Sequence, residues 1–195
     1  MKIKTAETII KDLIVIETEH FTDERGYFME SWQKKDFAKA GLRLEFVQEN
    51  QSGSKKGVLR GLHYQNLNAP IEKLVKCVFG EVFDVTVDLR VNSETFGKWF
   101  CINLSAENKK QLYVPIGFAH GFVAVSDYAE VLYKQTGYYK PSAEEILIWN
   151  DPDIEIKWPI INPILSEKDK HGKTLKEYLA SPAFKGRKFY GLRRG

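Results

Sequence analysis

The segment LRGLHYQ at residues 59–65 places Arg60 three residues before His63, with Gly61 between them. An imidazole has an ordinary pKa of about 6.5, so it can take and return a proton at neutral pH. A guanidinium binds phosphate through paired hydrogen bonds. The pair indicates a site that holds an anionic ligand and moves a proton on it. The alternative is a histidine that serves only the packing of a strand.

Strand geometry sets a condition on this pair. In a regular strand His63 shares a face with Gly61 and Gln65, whereas Arg60 points to the opposite face. Both side chains reach one pocket only if the strand bulges or ends near Gly61. We therefore expect an irregularity at this glycine.

A second histidine follows a turn in PIGFAHGF at residues 115–122. His120 stands in an apolar run between the small residues Ala119 and Gly121, which leave room for a ligand or a neighbouring chain. The segment therefore offers a second candidate site histidine, and the alternative is a core histidine bonded to the backbone.

A tyrosine in the run at residues 129–136 is a candidate proton donor. Tyr133 shares a strand face with Ala129 and Val131, so we expect it to point inward. A phenol can act as a general acid, and it can equally pack in a core with its hydroxyl bonded.

Two further groups lie near predicted strand ends and turns. Tyr138 and Tyr139 could stack on a nucleobase, or they could be ordinary aromatics at a rim. Asp169, in LSEKD at residues 165–169, could orient a histidine and favour its charged form, or it could simply form a turn.

Alternating hydrophobicity predicts several short strands between residues 58 and 150. The clearest run, at residues 74–90, divides at Gly80. Before it, one predicted inner face carries Val75, Cys77 and Phe79. After it, the apolar face carries Phe83, Val85, Val87 and Leu89, and the polar face carries Asp84, Thr86 and Asp88. Further strands are predicted at 98–104, 111–114, 119–125, 129–136 and 145–148.

Many short strands with few helices between them favour a mainly β fold, a sandwich, barrel or jelly roll. Helices are predicted only at the flanks, over 31–40 ending at Gly41 and over 174–181. We expect one domain over residues 1–184 and a basic, loosely ordered tail over 185–195.

Composition excludes several classes of function. The 195 residues include 29 basic and 26 acidic side chains, a balance that does not favour nucleic-acid binding. No apolar run is long enough for a membrane helix. Two cysteines without a CxxC motif suit a reducing cytoplasm. HxH, HExxH, GxGxxG and P-loop motifs are all missing, so we expect no metal, no dinucleotide and no nucleoside triphosphate site.

Taken together, these segments resemble the dTDP-4-dehydrorhamnose 3,5-epimerases, a family of dTDP-L-rhamnose synthesis. The resemblance runs from about Asp12 to Gly172, and the order and spacing of its motifs make it specific. The matching motifs are DERGYFMES at 23–31, FVQENQS at 46–52, GVLRGLHYQ at 57–65, KLVKCVFGEVFDVTVDLR at 73–90, FGKWFCINLSAENKKQLYVPIGFAHGF at 96–122, YKQTGYY at 133–139 and LSEKD at 165–169.

The resemblance implies a cupin-type jelly roll that acts as a cytoplasmic homodimer on a dTDP-sugar, without metal or cofactor. It also implies the catalytic roles. His63 is the general base paired with Asp169, Tyr133 is the general acid on the opposite face of the sugar, and Lys73 stabilises the enolate at the C4 oxygen.

The family's binding positions also carry over. Arg60 would hold the diphosphate, and Tyr139 would stack on the thymine. Arg25 and Glu30 would contact the substrate, in one arrangement across the dimer interface. Glu49 stands where the family often has Asp. The remaining expected contacts are Gln48, Glu49, Asn50, His120 and Glu144.

The physical chemistry agrees with these roles. The 4-keto group acidifies the protons at C3 and C5, but abstraction still requires that the enolate oxygen be stabilised as its charge develops. Strand parity puts Lys73 on the face of Val75 and Cys77, where its ammonium can do this. A phenol with a pKa of about 10 is protonated at rest and can deliver a proton.

The expected reaction is inversion of C3 and C5 of dTDP-4-dehydro-6-deoxy-D-glucose to give dTDP-4-dehydro-L-rhamnose. Two alternatives stay open at this point. One is a related enzyme that inverts a single centre or isomerises the ketone of a dTDP-sugar. The other is a non-catalytic cupin that only binds a nucleotide-sugar, which has no need for an acid and a base in opposition.

Overall fold

The structure is a computed structural model that describes residues 2–186. From residue 187 onward, the basic tail predicted over 185–195 lies outside the described residues. None of the described helices has the length and apolar character needed to cross a membrane.

The described chain forms thirteen strands and two short α-helices. The strands are β1 (Ile3–Glu7), β2 (Ile14–Thr18), β3 (His20–Asp23), β4 (Gly26–Met29), β5 (Gln48–Lys55), β6 (Leu59–Gln65), β7 (Lys73–Phe79), β8 (Glu81–Asp88), β9 (Trp99–Ser105), β10 (Gln111–Val114), β11 (Phe118–Ala124), β12 (Tyr128–Gln135) and β13 (Glu144–Ile146). The helices are α1 (Lys34–Lys39) and α2 (Leu175–Ala180), and 3₁₀ turns cover Pro141–Ala143 and Lys168–His171.

The strands form two main antiparallel sheets. The first sheet has the order β1-β2-β10-β7-β12-β5, and the second has the order β13-β6-β11-β8-β9. Strands β3 and β4 form a separate hairpin. This sandwich confirms the mainly β, cupin-type jelly roll expected from the sequence, and the predicted strand ranges differ from the observed ones by one or two residues at their ends.

Two apolar clusters pack against the second sheet, one on each face. One lies between the sheets and joins Val75 and Val131 of the first sheet to Phe118 and Phe122 of the second. The other covers the outer side of the second sheet, where side chains of β6 and β8 pack against α2 and the segment after it, including Tyr64, Val85, Val87, Leu89, Tyr178 and Phe184. The second sheet is therefore buried on both faces.

This double burial decides the orientation of β8. Its apolar face, with Val85 and Val87, packs outward against the C-terminal segments. Its polar face, with Asp84, Thr86 and Asp88, turns toward the space between the sheets, and all three side chains are fully buried. Alternation identified the two faces, and the covering segments determine which one points inward.

The flanking helices lie where the sequence indicates, although α1 begins three residues later than the predicted start at residue 31. α1 is followed by Gly41 with a φ of +89°, a conformation that favours glycine. At α2, Thr174 accepts a bond from the Glu177 backbone, and the Glu177 carboxylate accepts one in return from the Thr174 backbone. This capping box satisfies two backbone donors that the helix leaves unpaired.

One predicted inner residue is not inside. Phe79 was expected on the face of Val75 and Cys77, but its side chain is 58% exposed and contacts the ring of Tyr128. The register pairs Phe79 with Glu130 and Cys77 with Val131, which leaves Val78 as an extra residue. This bulge turns the end of β7 around, so the prediction for Phe79 is wrong.

Candidate active site

A cavity of about 460 Å³ opens between the two sheets. Its walls carry ten of the side chains predicted for the site, and they come from both sheets and from the 3₁₀ turn after residue 167. Those ten are Gln48, Asn50, Arg60, His63, Lys73, His120, Tyr133, Tyr139, Glu144 and Asp169.

The irregularity expected at Gly61 is present. On β11 and β6, His120 pairs with His63 and Phe122 pairs with Arg60, so β6 uses one residue more than β11 over the same span. Gly61 has a φ of +133°, and a Cβ placed on it would lie 2.6 Å from the Gly121 Cα. The bulge reverses the strand parity, and Arg60 and His63 both line the cavity.

Gly121 serves the same contact from the other strand. A Cβ on Gly121 would lie 2.6 Å from the Arg60 carbonyl oxygen. The small residue beside His120 therefore makes room for the backbone of β6, a neighbouring part of the same chain.

His63 has a carboxylate partner. Its Nε2 donates to Asp169 Oδ1 at 2.5 Å, and the Ser166 hydroxyl donates to Asp169 Oδ2 at 2.7 Å. Burial opposes ionisation of Asp169, but the bond to His63 and the bond to Ser166 hold its pKa below the usual value. The bond fixes the ring so that Nδ1 is the nitrogen left free to accept a proton.

His120 has a partner of its own. Its Nε2 donates to the Asp84 carboxylate, at 2.9 Å to Oδ2 and 3.1 Å to Oδ1. Asp84 is fully buried and His120 is 6% exposed. Because His63 and His120 pair across neighbouring strands, two histidine–carboxylate pairs lie side by side on the second sheet.

The first sheet supplies a lysine and a phenol. The Lys73 ammonium lies 5.8 Å from the centre of the Tyr133 ring. Burial lowers the pKa of Lys73 to about 8, so its proton is less firmly held than in an exposed lysine. Burial, followed by the charge of Glu144, raises the pKa of Tyr133. Tyr133 is therefore a protonated phenol at neutral pH.

The mouth of the cavity carries a bonded carboxylate. Glu144 accepts a bond from Tyr139 Oη at 2.9 Å and another from Lys168 Nζ at 2.6 Å. Burial alone would raise the pKa of Glu144, but these two bonds hold it below its usual value. Tyr139 is 47% exposed, which leaves much of its ring free at the opening.

Strand β5 lines the remaining wall next to Arg60. The Gln48 amide donates to Asn50 Oδ1 at 2.9 Å and accepts a bond from the Tyr139 backbone. The Arg60 guanidinium donates to Ser54 Oγ and to the Gly53 carbonyl, both at 3.0 Å. These bonds to β5 use two of the five guanidinium N–H groups, so others are available to an anion.

Three predicted contacts are not at this cavity. Glu49 points to the opposite side of β5 from Gln48 and Asn50, and it bonds to Lys134 on the outer surface. Glu49 does not line the cavity, because successive side chains of a strand alternate between faces, and its expected substrate contact stays a prediction. Arg25 bonds to Asp23 in the exposed hairpin, and Glu30 is exposed, so their expected contact across a dimer interface stays a prediction.

Several lining residues were missed from the sequence. Ser52 follows Gln48 and Asn50 at a spacing of two, and Gln135 follows Tyr133 in the same way, so parity could have identified both. The others are Gly121, Phe122, Ser166 and Lys168. In residues 2–186, no three His, Cys, Asp or Glu side chains group as a metal site would require.

The cavity therefore combines a base, an acid and cations on facing walls. The paired imidazole of His63 can accept a proton, the phenol of Tyr133 can donate one from the other sheet, and the Lys73 ammonium can stabilise a developing oxyanion. Arg60 can bind a phosphate at the edge of the same cavity.

Comparison with known proteins gives a consistent result. A family model described as dTDP-4-dehydrorhamnose 3,5-epimerase matches residues 7–177. The protein of that name from Shigella flexneri is 54% identical over 168 residues, which cover 86% of this chain and 93% of that protein.

Solved structures share the same architecture. The dTDP-6-deoxy-D-glucose-3,5-epimerase of Legionella pneumophila Philadelphia 1, in complex with dTDP-4-keto-L-rhamnose, has a TM-score of 0.91 and 44% identity, covering 95% of this chain and all of that one (100%). A 3'-monoepimerase from Streptomyces bikiniensis, in complex with dTDP-quinovose, has a TM-score of 0.85 and 31% identity, with 91% of both chains covered.

Proposed function

The chain belongs to the dTDP-4-dehydrorhamnose 3,5-epimerase family and is an isomerase of that type, and we propose that it inverts the configuration of sugar carbons in the cavity between its two sheets. The observation that carries this proposal is the placement of His63 and Tyr133 on opposite sheets. A base and an acid on opposite walls can remove a proton from one face of a sugar and return one to the other face.

His63 is the general base in this proposal. Its Nε2 donates to Asp169, which leaves the Nδ1 lone pair to accept the proton from C5 or C3 of the sugar. Asp169 fixes the ring and stabilises the imidazolium that forms. Both inversions use the same kind of step, because both carbons lie next to the C4 ketone.

Lys73 stabilises the enolate. When the proton leaves, negative charge develops on the C4 oxygen, and a cation already in place costs no reorganisation at that moment. Burial of Lys73 strengthens its interaction with this charge, since the site has a lower effective dielectric constant than water. The lowered pKa of Lys73 limits this function to pH values at which the ammonium persists.

Tyr133 is the general acid. Its raised pKa keeps the phenol protonated until a strongly basic carbanion is formed nearby. Donation from the first sheet, opposite His63, gives the inverted configuration at each carbon.

The remaining contacts hold the nucleotide-sugar. Arg60 binds the diphosphate, and Tyr139 at the mouth stacks on the thymine. We propose that the other cavity side chains contact the sugar and the nucleotide, namely Gln48, Asn50, His120 and Glu144. Substrate held at both ends in this way places C3 and C5 between the two walls.

We further propose that the enzyme is a homodimer in the cytoplasm. The hairpin of β3 and β4 exposes Phe21, Tyr27 and Phe28, at 61%, 56% and 69%, a run of aromatic surface that a second copy could cover. Such packing would also give Arg25 and Glu30 a route to the partner's substrate. The free thiols of Cys77 and Cys101 suit a reducing compartment.

Deuterium exchange tests the reaction. The protein is incubated with dTDP-4-dehydro-6-deoxy-D-glucose in D₂O, and C3 and C5 are followed by NMR. Deuterium should enter at both carbons with formation of dTDP-4-dehydro-L-rhamnose. Exchange at one carbon alone would indicate a single-centre epimerase like the Streptomyces bikiniensis relative, and no exchange would contradict a catalytic role.

Sedimentation tests the dimer. We expect twice the mass of the 22.5 kDa chain, and a Phe21→Ser, Phe28→Ser double variant should shift toward the monomer. A single-chain mass for the unmodified protein at micromolar concentration would contradict the homodimer.

A further inference from the structure

The polar face of β8 carries a carboxylate to which no role has been given so far. Asp84 lies on the inward side of this strand, is fully buried, and has both oxygens within hydrogen-bond distance of His120 Nε2. Burying a carboxylate is costly unless a partner compensates it. The partner is His120, which lines the cavity, so the buried charge of Asp84 lies directly behind the wall that faces the substrate.

Asp84 also acts on the lysine across the cavity. Its negative charge raises the pKa of Lys73, as does that of Glu144, whereas burial, the largest influence, and the charge of Lys168 lower it. The other titratable or charged groups that share this cavity with Lys73 are Arg60, His63, His120, Tyr133, Tyr139 and Asp169. Two carboxylates, Asp84 and Glu144, raise the pKa of Lys73. Glu144 is already bonded to Lys168 and Tyr139.

We infer that Asp84 is a positioning residue for the epimerisation: its buried carboxylate fixes the His120 ring at the cavity wall and helps to keep positive charge on Lys73 where the enolate oxygen forms. This inference rests on the role proposed above for Lys73. With Nε2 donating to Asp84, Nδ1 is the nitrogen of His120 left for a ligand in the cavity.

The second histidine–carboxylate pair thus differs in function from the first. Asp169 lies beside the base and stabilises the charge that His63 acquires during the reaction. Asp84 acts on the opposite wall before the reaction begins, since its charge partly offsets the effect of burial on the Lys73 pKa. A double epimerase needs the same enolate stabilisation twice in one catalytic cycle, so a group that favours the charged form of Lys73 serves both inversions.

The pH–rate profile of Asp84→Asn tests this inference. Asparagine preserves size and can still bond to His120, but it removes the charge. Because the wild-type ammonium is lost as pH rises through about 8, kcat should fall on the alkaline side. Without the Asp84 charge the pKa of Lys73 drops, so this alkaline limb should move to lower pH by about one unit. We expect kcat to fall more than KM rises.

Thr86→Val is the matched control. Thr86 lies two residues along the same buried face of β8, and its hydroxyl has no partner among the described residues. This variant should leave the alkaline limb in place. If Asp84→Asn does not fold, as judged by its thermal transition, Asp84→Ser carries the same test, since the smaller side chain leaves space for water in the buried site.

The possible failures can be told apart. If the wild-type rate shows no alkaline limb between about pH 7 and 10, the role of Lys73 is contradicted, and the inference falls with it. If the wild-type limb is present but does not move in a folded Asp84 variant, only the inference is overturned, and Asp84 has a purely structural role.

Discussion

Arg60 and His63 face the same cavity, although they stand three positions apart on one strand and a regular strand would separate them. The register between β6 and β11 shows one extra residue on β6 between these two side chains. The bulge is centred on Gly61, whose φ is +133°. A guanidinium that can bind phosphate and an imidazole that can accept a proton therefore face one cavity because of a glycine that carries no chemistry itself.

Replacing that glycine should disturb both stability and activity. In Gly61→Ala the new Cβ would lie 2.6 Å from Gly121 Cα, in addition to the strained φ. Gly26→Ala is a stability control, because Gly26 has a φ of +122° with nothing within 4 Å of a Cβ. We expect about 1–3 kcal/mol of destabilisation at Gly26 from the backbone alone, and more at Gly61.

Urea unfolding measures this difference, and kcat/KM of Gly61→Ala should fall as Arg60 and His63 lose their common orientation. Equal destabilisation of the two variants would show that the contact with Gly121 is unimportant.

Removing the charge of Asp169 should slow the chemical step. In Asp169→Asn the amide can no longer stabilise imidazolium and can hold His63 in the wrong tautomer, so kcat should fall by about 10²–10⁴-fold with a small change in KM. Steady-state kinetics measure this loss. Ser166→Ala, which removes the hydroxyl's bonds to the Asp169 carboxylate and backbone but keeps the bond to His63, should cost less than about tenfold. A kcat near the wild-type value for Asp169→Asn would contradict the paired base.

Strand β5 allows a test of neighbouring residues on opposite faces. Asn50 lines the cavity, whereas Glu49 bonds to Lys134 on the outside. Asn50→Ala removes a hydrogen-bonding group and should raise KM by about two- to tenfold. Glu49→Gln should leave KM within about twofold of the wild type, because an exposed ion pair contributes little. Initial rates over a range of substrate concentration measure both; a larger effect at Glu49 would place it at the substrate after all.

Sequence patterns predicted strands β6 to β13, because alternation reports directly on half-buried sheets, but strands β1 to β5, which all precede residue 58, were not predicted. They also located the catalytic candidates, chiefly through motifs whose joint order is specific. Patterns could not tell which face of β8 is inside, since the apolar face of Val85 and Val87 packs against chain that arrives about 90 residues later.

The errors share a local cause. Bulges change the parity of a strand by one residue, as at Val78, which turns Phe79 outward. Bonds between distant segments are also invisible to local patterns, and Lys168 was missed for that reason although it bonds to Glu144. The substrate contact of Glu49 was expected from its motif, whereas strand alternation places Glu49 on the face opposite Gln48 and Asn50, and the structure shows this orientation.

In the proposed mechanism the base and the acid act from opposite sheets, and the variant Tyr133→Phe in D₂O is the sharpest test of this arrangement. The variant keeps His63, Asp169 and Lys73, so protons at C3 and C5 should still be removed and exchanged. Delivery of a proton from the opposite face should be slowed by about 10²-fold or more. NMR of one sample measures both exchange and inversion: we expect exchange to outpace inversion, and inversion at the wild-type rate would contradict Tyr133 as the acid.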